Sequence, residues 1–373
     1  MTGRRAQGTI ELSKTVAETP GDDVASGTPR LGGRILSLRN VASVLLALAV
    51  LYLVYRQFMG LDWREVWTSV RGANAVLLGL ALVVFYCSFP LRAARWKTLL
   101  ANVGYDATTR PLMPSTFGLT RIMYIAWFAN CVTIARLGDA YRGYLLKKEA
   151  AVSFTVTIGT VLAERLLDLL VMGMMMGVGV VVVFGGSLPT EAAQALMAGL
   201  ILSGIGGIVL LTMRRFGWAF ERVLPKRLHA HYSRLEHGVV DSLRGKLPLL
   251  VVYSAAGWVL EGAALYATAT SLGVSVSVLG ALVVALAASL LTAVPITPAG
   301  LGFTEAGMLV MLQWWLGLDP PTATAVTLLF RIINYWSIVV IGSFLYLFLY
   351  LFAGNTNSPA GRSIDKERLE VHG

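Results

Sequence analysis

Charge and cysteine are both scarce in this sequence. Only 14% of its 373 residues are charged and 56% are hydrophobic, whereas about a quarter of the residues of a soluble domain are charged. Such a chain has too few polar side chains to cover its surface in water, so we expect lipid to be its solvent. Cys87 and Cys131 lie in apolar runs without CxxC spacing, which favours free cysteines over a disulfide framework.

Signals of several other protein classes are also missing. Residues 1–36 are polar, and they are too long and too mixed for the charged start of a cleavable signal peptide. We interpret them as a disordered cytoplasmic tail. The sequence has no nucleotide-binding motif and no metal-binding acidic cluster, so we expect no cofactor, no metal and no catalytic residue. The net charge of +10 is expected on cytoplasmic loops, where Lys and Arg collect, and not at a nucleic-acid interface.

Long apolar runs dominate the rest of the chain. Each of six runs can cross a hydrocarbon core of about 30 Å, at about 1.5 Å per helical residue. These runs are Val41–Gln57, Ala73–Phe89, Ala150–Phe184, Ala192–Met213, Leu247–Leu272 and Thr322–Phe352. Two further regions are apolar but broken. Leu112–Lys147 turns polar at Arg136–Asp139, and Val276–Leu318 contains prolines and glycines between Pro295 and Gly302, which interrupt helices.

The distribution of basic residues favours re-entrant hairpins in the two broken regions. The connection at residues 213–246 carries eight Lys and Arg, whereas residues 185–191 and 273–275 carry none. The first is therefore predicted to be cytoplasmic and the other two to lie outside. A single crossing by Leu112–Lys147 would reverse this assignment, whereas a hairpin that returns to the cytoplasm preserves it. Irregular backbone at membrane depth must be covered by protein or a water-filled cavity, so such hairpins build sites.

An internal repeat links the two halves of the chain. Thr133–Gly138 and Thr297–Gly302 are identical at four of six positions. Arg165 follows the first segment's glycine by 27 residues, and Arg331 follows the second segment's glycine by 29. Each half then contains three spans and one hairpin. Because three is odd, the second half starts on the opposite side of the membrane, which is the inverted plan of many secondary transporters.

The predicted fold is an all-α polytopic membrane protein with about six full spans and two re-entrant helical hairpins, eight or more hydrophobic segments in total. The transmembrane domain covers residues 37–352, with repeats at about 40–184 and 189–352. Residues 353–373 form a second cytoplasmic tail.

Four motifs, in this order, resemble those of the lysylphosphatidylglycerol synthase transmembrane-region family, flippase-like membrane proteins of prokaryotes. The motifs are Arg92–Lys97, Asn130 with Arg136–Arg142, Glu164–Asp168 and Pro298–Glu305. The resemblance covers about Val41 to Phe352. It implies a prokaryotic cytoplasmic membrane and movement of a lipid or lipid-linked molecule between leaflets. The family usually has proline where this chain has Ile134, and no soluble aminoacyl-transferase domain follows before Gly373, so we expect no aminoacyl transfer from this chain alone.

Charged residues inside apolar runs are the strongest candidates for function. Glu164 and Asp168 share a helix face, with Arg165 beside them. A charge at the bilayer centre costs about 2.5–3.5 kcal/mol, so these residues must pair, face water or lie at the interface. Arg331 occupies the mirrored place in the last run, and arginine binds phosphate through its planar fork. The alternative for Arg331 is a structural ion pair with Glu305 or Asp168.

The broken regions offer anion sites of another kind. Gly300 and Gly302 let backbone N–H groups approach a ligand, and a helix starting near Phe303 would point its positive end at the break. A cap and kink without any ligand is the alternative. The residues predicted to contact substrate are Arg136, Asp139, Arg142, Glu164, Arg165, Asp168, Pro298, Gly300, Gly302, Glu305 and Arg331. For the first three, a solvated hairpin rim is the alternative. Glu261 is either a proton or cation-coupling group or a structural hydrogen-bonding residue.

The sequence favours a translocase for a lipid or lipid-linked anionic substrate over two alternatives. One is a membrane-embedded transferase with Glu164 or Glu305 as general base. The other is a scaffold for a partner enzyme of lipid or envelope biosynthesis. The expected partners are membrane lipids, with residues 213–246 on the anionic inner leaflet.

Overall fold

The computed structural model describes residues 62–133, 136–184, 225–292 and 297–356, together with residues 190, 194, 197, 201, 204–208, 212, 213 and 215. Within these residues the chain is all-helical, as predicted. The predicted tail at residues 1–36, the run Val41–Gln57 and most of the run Ala192–Met213 lie outside them. So do residues 357–373, most of the predicted C-terminal tail.

Eleven α-helices are found in the described residues. They are α1 (Trp63–Gly72), α2 (Ala75–Asn102), α3 (Thr116–Val132), α4 (Leu137–Ala150), α5 (Phe154–Phe184), α6 (Lys226–Val240), α7 (Leu247–Ser271), α8 (Val278–Thr292), α9 (Phe303–Val310), α10 (Pro320–Arg331) and α11 (Ser337–Thr356). Two π-helical segments extend them: Met311–Trp315 continues α9, and Ile332–Trp336 joins α10 to α11. Pro298–Gly300 forms a short 3-10 turn before α9.

Four helical stretches are long and apolar enough to cross a membrane: Ala75–Asn102, Phe154–Val182, Leu247–Ser271 and Pro320–Phe348. They confirm four of the six predicted spans as helices; the run Val41–Gln57 and most of the run Ala192–Met213 lie outside the described residues. The first helix corrects the sequence-based boundary. The apolar run was predicted to end at Phe89, but α2 continues through Pro90 to Asn102, because its polar second half is buried against partners on other helices.

Polar side chains mark where several helices begin. The Asn74 side chain accepts from the backbone N–H groups of Val76 and Leu77 at 2.9 and 3.2 Å. The Asp319 carboxylate likewise accepts from Thr322 N–H at 3.0 Å, and Pro320 occupies the first turn, where a missing N–H costs nothing. These caps fix the start of α2 and of the α10–α11 stretch that carries Arg331.

Each broken region contains two helices that pack against each other and are not one continuous helix. In the first, α3 ends at Val132 and packs against α4, which starts at Leu137, and we call the residues between them the first break. In the second, α8 packs against α9 across a break that ends with the turn Pro298–Gly300. Arg136 has φ +54° and Ala299 has φ +46°, a left-handed conformation that is costly for residues other than glycine. The predicted interruptions of both helical runs are therefore confirmed, and α9 starts at Phe303 as expected.

Glycines allow two of the helix pairs to approach closely. A Cβ on Gly159 of α5 would lie 2.7 Å from the Gly238 Cα of α6. A Cβ on Gly138 of α4 would lie 2.7 Å from Asn130 Oδ1 and overlap the Ala126 carbonyl of α3. Small residues at helix crossings are typical of membrane bundles. The second contact brings α4 close against α3.

Candidate functional site

The polar half of α2 brings two arginines into the bundle. Arg92 and Arg95 are three residues apart and therefore share a helix face, with only 3% and 1% of their surface exposed. Each must find an anion, because a buried unpaired charge is very costly. Arg92 and Arg95 are the centres of two separate ion-pair groups.

Arg95 is the centre of a four-residue charge network. It forms an ion pair with Asp168 of α5, and its Nη2 lies 2.9 Å from Glu164 Oε1. The other Glu164 oxygen accepts from Arg142 Nη2 of α4 at 2.6 Å. The Arg142 guanidinium also lies over the Trp96 ring, 3.7 Å from its centroid, a favourable cation–π geometry. The network ties α2, α4 and α5 together.

Arg92 lies between two aromatic rings. Its guanidinium carbon is 4.5 Å from the Trp258 ring centroid and 5.2 Å from that of Trp127. Arg92 Nη2 donates to Glu261 Oε2 at 3.0 Å, and Ser289 Oγ donates to the other Glu261 oxygen at 2.5 Å. Glu261, expected to act as a coupling group or as a structural hydrogen-bonding residue, therefore takes part in a buried ion pair.

Each break carries an ion pair to the long helix that follows it. Asp139, just after the first break, accepts from Arg165 of α5 through both oxygens, at 2.7 and 3.1 Å. Glu305, just after the second, accepts from Arg331 Nε of α10 at 2.6 Å. In both pairs the arginine follows the carboxylate by 26 residues. The ion pair between Arg331 and Glu305, one of the two alternatives for Arg331, is thus present.

The two breaks differ in the further hydrogen bonds that stabilise them. Glu305 also accepts from the backbone N–H of Gly302 at 2.6 Å, and the Gly300 N–H donates to the Thr297 carbonyl at 3.1 Å. Both glycine N–H groups therefore have an acceptor within the chain. In the first break, Asn130 Nδ2 donates to Asp139 Oδ1 at 3.2 Å.

A cavity of about 290 Å³ lies where these groups meet. Residues from every helix from α2 to α11 except α6 line it, together with residues of both breaks and of the π-helical segment Ile332–Trp336. The charged lining residues are Arg92, Arg136, Asp139, Arg165, Asp168, Glu261 and Arg331. Four arginines thus face three carboxylates, which leaves one positive charge among the described lining residues. The apolar lining includes the Trp127 and Trp258 rings.

Arg136 accounts for the extra charge. It is the N-cap residue of α4, with φ +54°, and it lines the cavity. Among the described residues it has no ion-pair or side-chain hydrogen-bond partner, whereas Arg92, Arg165 and Arg331 each have a carboxylate within 3.0 Å. A guanidinium on a cavity wall without an acidic partner is suited to an anionic ligand.

Several buried polar atoms of the cavity wall also lack a partner within the described part of the chain. They are Arg92 Nε, Trp258 Nε1, Thr304 Oγ1, Asn130 Oδ1 and Asn334 Oδ1. Native proteins hydrogen-bond the great majority of their buried polar groups. Arginine and tryptophan nitrogens can only donate. The Asn130 amide is oriented by its hydrogen bond to Asp139, so its Oδ1 is an acceptor, whereas the Asn334 amide can present either a donor or an acceptor. The Arg92 and Trp258 donors are therefore complementary to a ligand that carries hydrogen-bond acceptors.

Comparison with known proteins identifies the family. The family model of the lysylphosphatidylglycerol synthase transmembrane region matches residues 40–342. The chain belongs to this family.

Several family relatives are archaeal membrane proteins. A UPF0104 membrane protein of Methanocaldococcus jannaschii is 34% identical over 223 residues, which cover 59% of this chain and 93% of the relative. A UPF0104 membrane protein of Methanothermobacter thermautotrophicus is 25% identical over 74% of this chain and 87% of its own length. Glycosyltransferase AglD of Haloferax volcanii is 23% identical over 81% of this chain but only 52% of its own length. The chain is thus a multi-pass membrane protein of this family.

The residues singled out from the sequence fall into two layers. Arg136, Asp139, Arg165, Asp168 and Arg331 line the cavity. The others lie outside the lining. Arg142 pairs with Glu164, and Glu164 is linked to the lining residue Asp168 through Arg95. Glu305 pairs with the lining residue Arg331 and accepts from Gly302, and Gly300 lies beside the lining residue Thr304. Pro298 begins the turn before α9.

Sequence reasoning left out several residues of the cavity wall, notably Arg92, Trp127, Asn130, Trp258 and Asn334. For Arg92, the sequence did contain a pattern that indicates a buried functional charge. Arg92 and Arg95 stand three residues apart in a helical run, as Glu164 and Asp168 stand four apart, and the same reasoning applies to both pairs. Asn130 belongs to one of the family motifs but was not assigned to the site. The tryptophans and Asn334 carry no such signal, because only tertiary packing aims their side chains inward.

Proposed function

We propose that this protein is a translocase for a lipid or lipid-linked molecule with an anionic head group, and that the head group binds in the central cavity. The observation that carries the proposal is the Arg136 guanidinium, which lines the cavity and forms no ion pair with a carboxylate among the described residues. A phosphate group would neutralise the one excess positive charge and accept hydrogen bonds from the unpartnered donors of the wall. The protein's own role is binding and transport, without a covalent step.

Equivalent features of the two halves support a transport mechanism. Both breaks place a residue in the left-handed region, and both continue to an ion pair with a spacing of 26 residues. These features favour an inverted repeat in which α3–α4 and α8–α9 are re-entrant hairpins. In such transporters the substrate binds near the midplane between the repeats, and alternate movement of the two halves exposes it to each side.

The proposed orientation places the basic connection and both chain ends in the cytoplasm. Helix α6, within this connection, carries Lys226, Arg227 and Arg234, which suits the anionic inner leaflet of a prokaryotic cytoplasmic membrane. The loop between α7 and α8 then lies outside.

The test exploits the backbone of Arg136. Glycine adopts a positive φ without strain, so Arg136→Gly removes the cation and is expected to leave stability unchanged or raise it by about 0.5–1 kcal/mol. The variant also reproduces the second half, where Gly300 aligns with Arg136 and has φ +69°. The measurement is mass spectrometry of lipids that co-purify with the full chain, together with its thermal unfolding temperature.

We expect one anionic lipid or lipid-linked species to be enriched at least about tenfold on the unmodified protein relative to Arg136→Gly, because a hydrogen bond to a charged group contributes about 1.5–3 kcal/mol. Arg121→Ala is the matched control, since Arg121 pairs with Glu149 on a partly exposed face away from the cavity. Equal lipid profiles in all three proteins would contradict the proposal.

A membrane-embedded transferase is the second candidate, because one relative of this family is named as a glycosyltransferase. The pairing of the cavity carboxylates with arginines favours the transferase less than the translocase. Asp139, Asp168 and Glu261 of the cavity wall are each paired with an arginine, which weakens them as general bases. Release of a sugar or head group from a lipid-linked donor by the purified chain, lost in Glu164→Gln or Glu305→Gln, would favour the transferase.

A further inference from the structure

A second cavity lies beside the first, between α1 and α10. It has a volume of about 470 Å³, and its wall includes Trp67, Val70, Leu328, Ile332 and Trp336. Apart from one ion pair, this wall is apolar. We call this cavity the lateral groove.

The sequence of α1 explains one side of the groove. Trp63, Val66, Trp67 and Val70 recur at i, i+3, i+4 and i+7, and all four line the groove. This spacing gives a short amphipathic helix, whose 10 residues are too few to cross a bilayer. The apolar face of this helix packs against α10.

The outer rim of the groove is open. Trp67, Ile332 and Trp336 each expose more than half of their surface. Large apolar side chains with this exposure face lipid in a membrane protein, so hydrocarbon chains can reach the groove from the bilayer.

One ion pair separates the groove from the central cavity. Arg331 lines both cavities, and Glu305 lines the groove while it accepts from Arg331 Nε at 2.6 Å. Arg331 Nη2 is also 3.5 Å from the Ala299 carbonyl of the second break. The Glu305–Arg331 pair therefore separates the charged central cavity from the apolar lateral groove.

We propose that the lateral groove holds the hydrocarbon tail of the lipid whose head group occupies the central cavity, and that the Glu305–Arg331 pair is the gate through which the head group enters. The proposal rests on the proposed function, and it adds the entry route of the head group and the binding site of the hydrocarbon tail. The apolar wall accepts hydrocarbon and no polar group, because burying a polar group without a partner is unfavourable. Because Arg331 lines both cavities, a tail in the groove would lie next to the charged central cavity.

The chemistry of the gate lowers the cost of opening it. Breaking a buried ion pair leaves two uncompensated charges. An anionic head group offers Arg331 a new partner as Glu305 withdraws, and Glu305 keeps the Gly302 N–H as a donor. Arginine–phosphate pairs are strong and bidentate, so the exchange substitutes one anion for another. A neutral head group gives no such compensation, and the gate therefore selects for anions.

The first experiment maps the tail directly. The full chain in phosphatidylcholine nanodiscs is irradiated with hexadecyl phosphate that carries a diazirine at the end of its chain, and the labelled peptides are identified by mass spectrometry. We expect labels on α1 and on Leu328–Trp336, reduced in Arg136→Gly. Labels spread equally over other exposed apolar surfaces, such as Val83 of α2 and Phe344 of α11, would overturn the proposal.

The second experiment fills the groove. Val70→Trp adds bulk inside it, whereas Val340→Trp adds the same bulk on α11, where Val340 exposes 52% of its surface outside the groove. Each buried CH₂ of a chain contributes about fourfold in affinity. We therefore expect Val70→Trp to weaken hexadecyl phosphate binding at least about tenfold while inorganic phosphate binding stays unchanged, and Val340→Trp to change neither.

The outcomes separate the tail site from the proposed function. If phosphate and hexadecyl phosphate both bind the unmodified chain and Val70→Trp behaves like Val340→Trp, the groove proposal is overturned and the head-group site stands. If neither probe binds, or if both bind Arg136→Gly as tightly as the unmodified chain, the proposed function and the groove proposal fall together.

Discussion

Arginine–carboxylate pairing explains how so many charges are accommodated in an apolar bundle. Arg92, Arg95, Arg165 and Arg331 each have a carboxylate partner within the described residues. Arginine suits this role because it stays charged and its planar fork can satisfy two acceptors together. Arg95 does so with Asp168 and Glu164. Arg136 differs from these four in having no such partner among the described residues.

Arg95→Ala is expected to lower the free energy of unfolding by about 3–5 kcal/mol, because it leaves the Asp168 carboxylate buried without a counter-charge. The measurement is the unfolding temperature of the purified chain in detergent. Arg121→Ala is the control: the Arg121 and Glu149 side chains are 40% and 32% exposed, and exposed pairs contribute only about 0–1 kcal/mol. Equal unfolding temperatures for the two variants would mean that the Arg95 network does not stabilise the fold.

At the scale of elements, helix boundaries depend on partners as well as on local pattern. Helix α2 runs past Pro90 and two arginines to Asn102 because the buried polar half has anions on α5 and α7 to meet it. Helix α6 is positioned differently. Its Gly238 and Gly159 of α5 bring the two backbones into direct contact, so α6 of the basic connection is held against the long helix that carries Glu164.

Gly159→Ala is expected to push α6 away from α5 and to destabilise the protein by about 1–3 kcal/mol, since the new Cβ would lie 2.6 Å from the Leu235 carbonyl oxygen. Gly79→Ala on α2 is the matched control, because nothing lies within 4 Å of a Cβ there and alanine is the better helix former. Thermal unfolding distinguishes them. A Gly159→Ala variant as stable as Gly79→Ala would rule out a tight α5–α6 crossing.

At the scale of the whole molecule, the proposed inverted repeat depends on which side of the membrane each connection occupies. Helix α7 connects the basic connection to the loop before α8, and it is one of the four stretches able to span. The two connections must therefore face opposite sides if the proposed topology holds.

Single cysteines test this arrangement in a Cys87→Ala/Cys131→Ala background. Arg234 on α6 and Ser275 in the loop after α7 are both exposed. In intact cells, we expect a membrane-impermeant maleimide to label Ser275→Cys and to leave Arg234→Cys unlabelled until the membrane is opened. Labelling of both from one side would show that α7 does not cross. The reverse pattern would keep the span and invert the orientation.

The sequence predicted the helical class, the spans at α5 and α7, both breaks and the start of α9 at Phe303, because apolar length and Pro or Gly punctuation are local properties. It also placed Asp139, Arg165 and Arg331 among the candidate residues, since an isolated charge in an apolar run needs a reason. It did not separate Arg142 and Glu164, which lie behind the cavity, from Arg136, which lines it, because all three belong to similarly charged motifs.

The apolar composition by itself identified this chain as a membrane protein. The charged residues in its apolar runs predicted ion pairs inside the helix bundle. Only the tertiary structure decided which carboxylate meets which arginine, that Trp127 and Trp258 flank Arg92, and that Arg331 divides a charged cavity from an apolar groove. These contacts join residues from helices far apart in the chain. Their partners depend on how the helices pack, and local sequence pattern does not encode that packing.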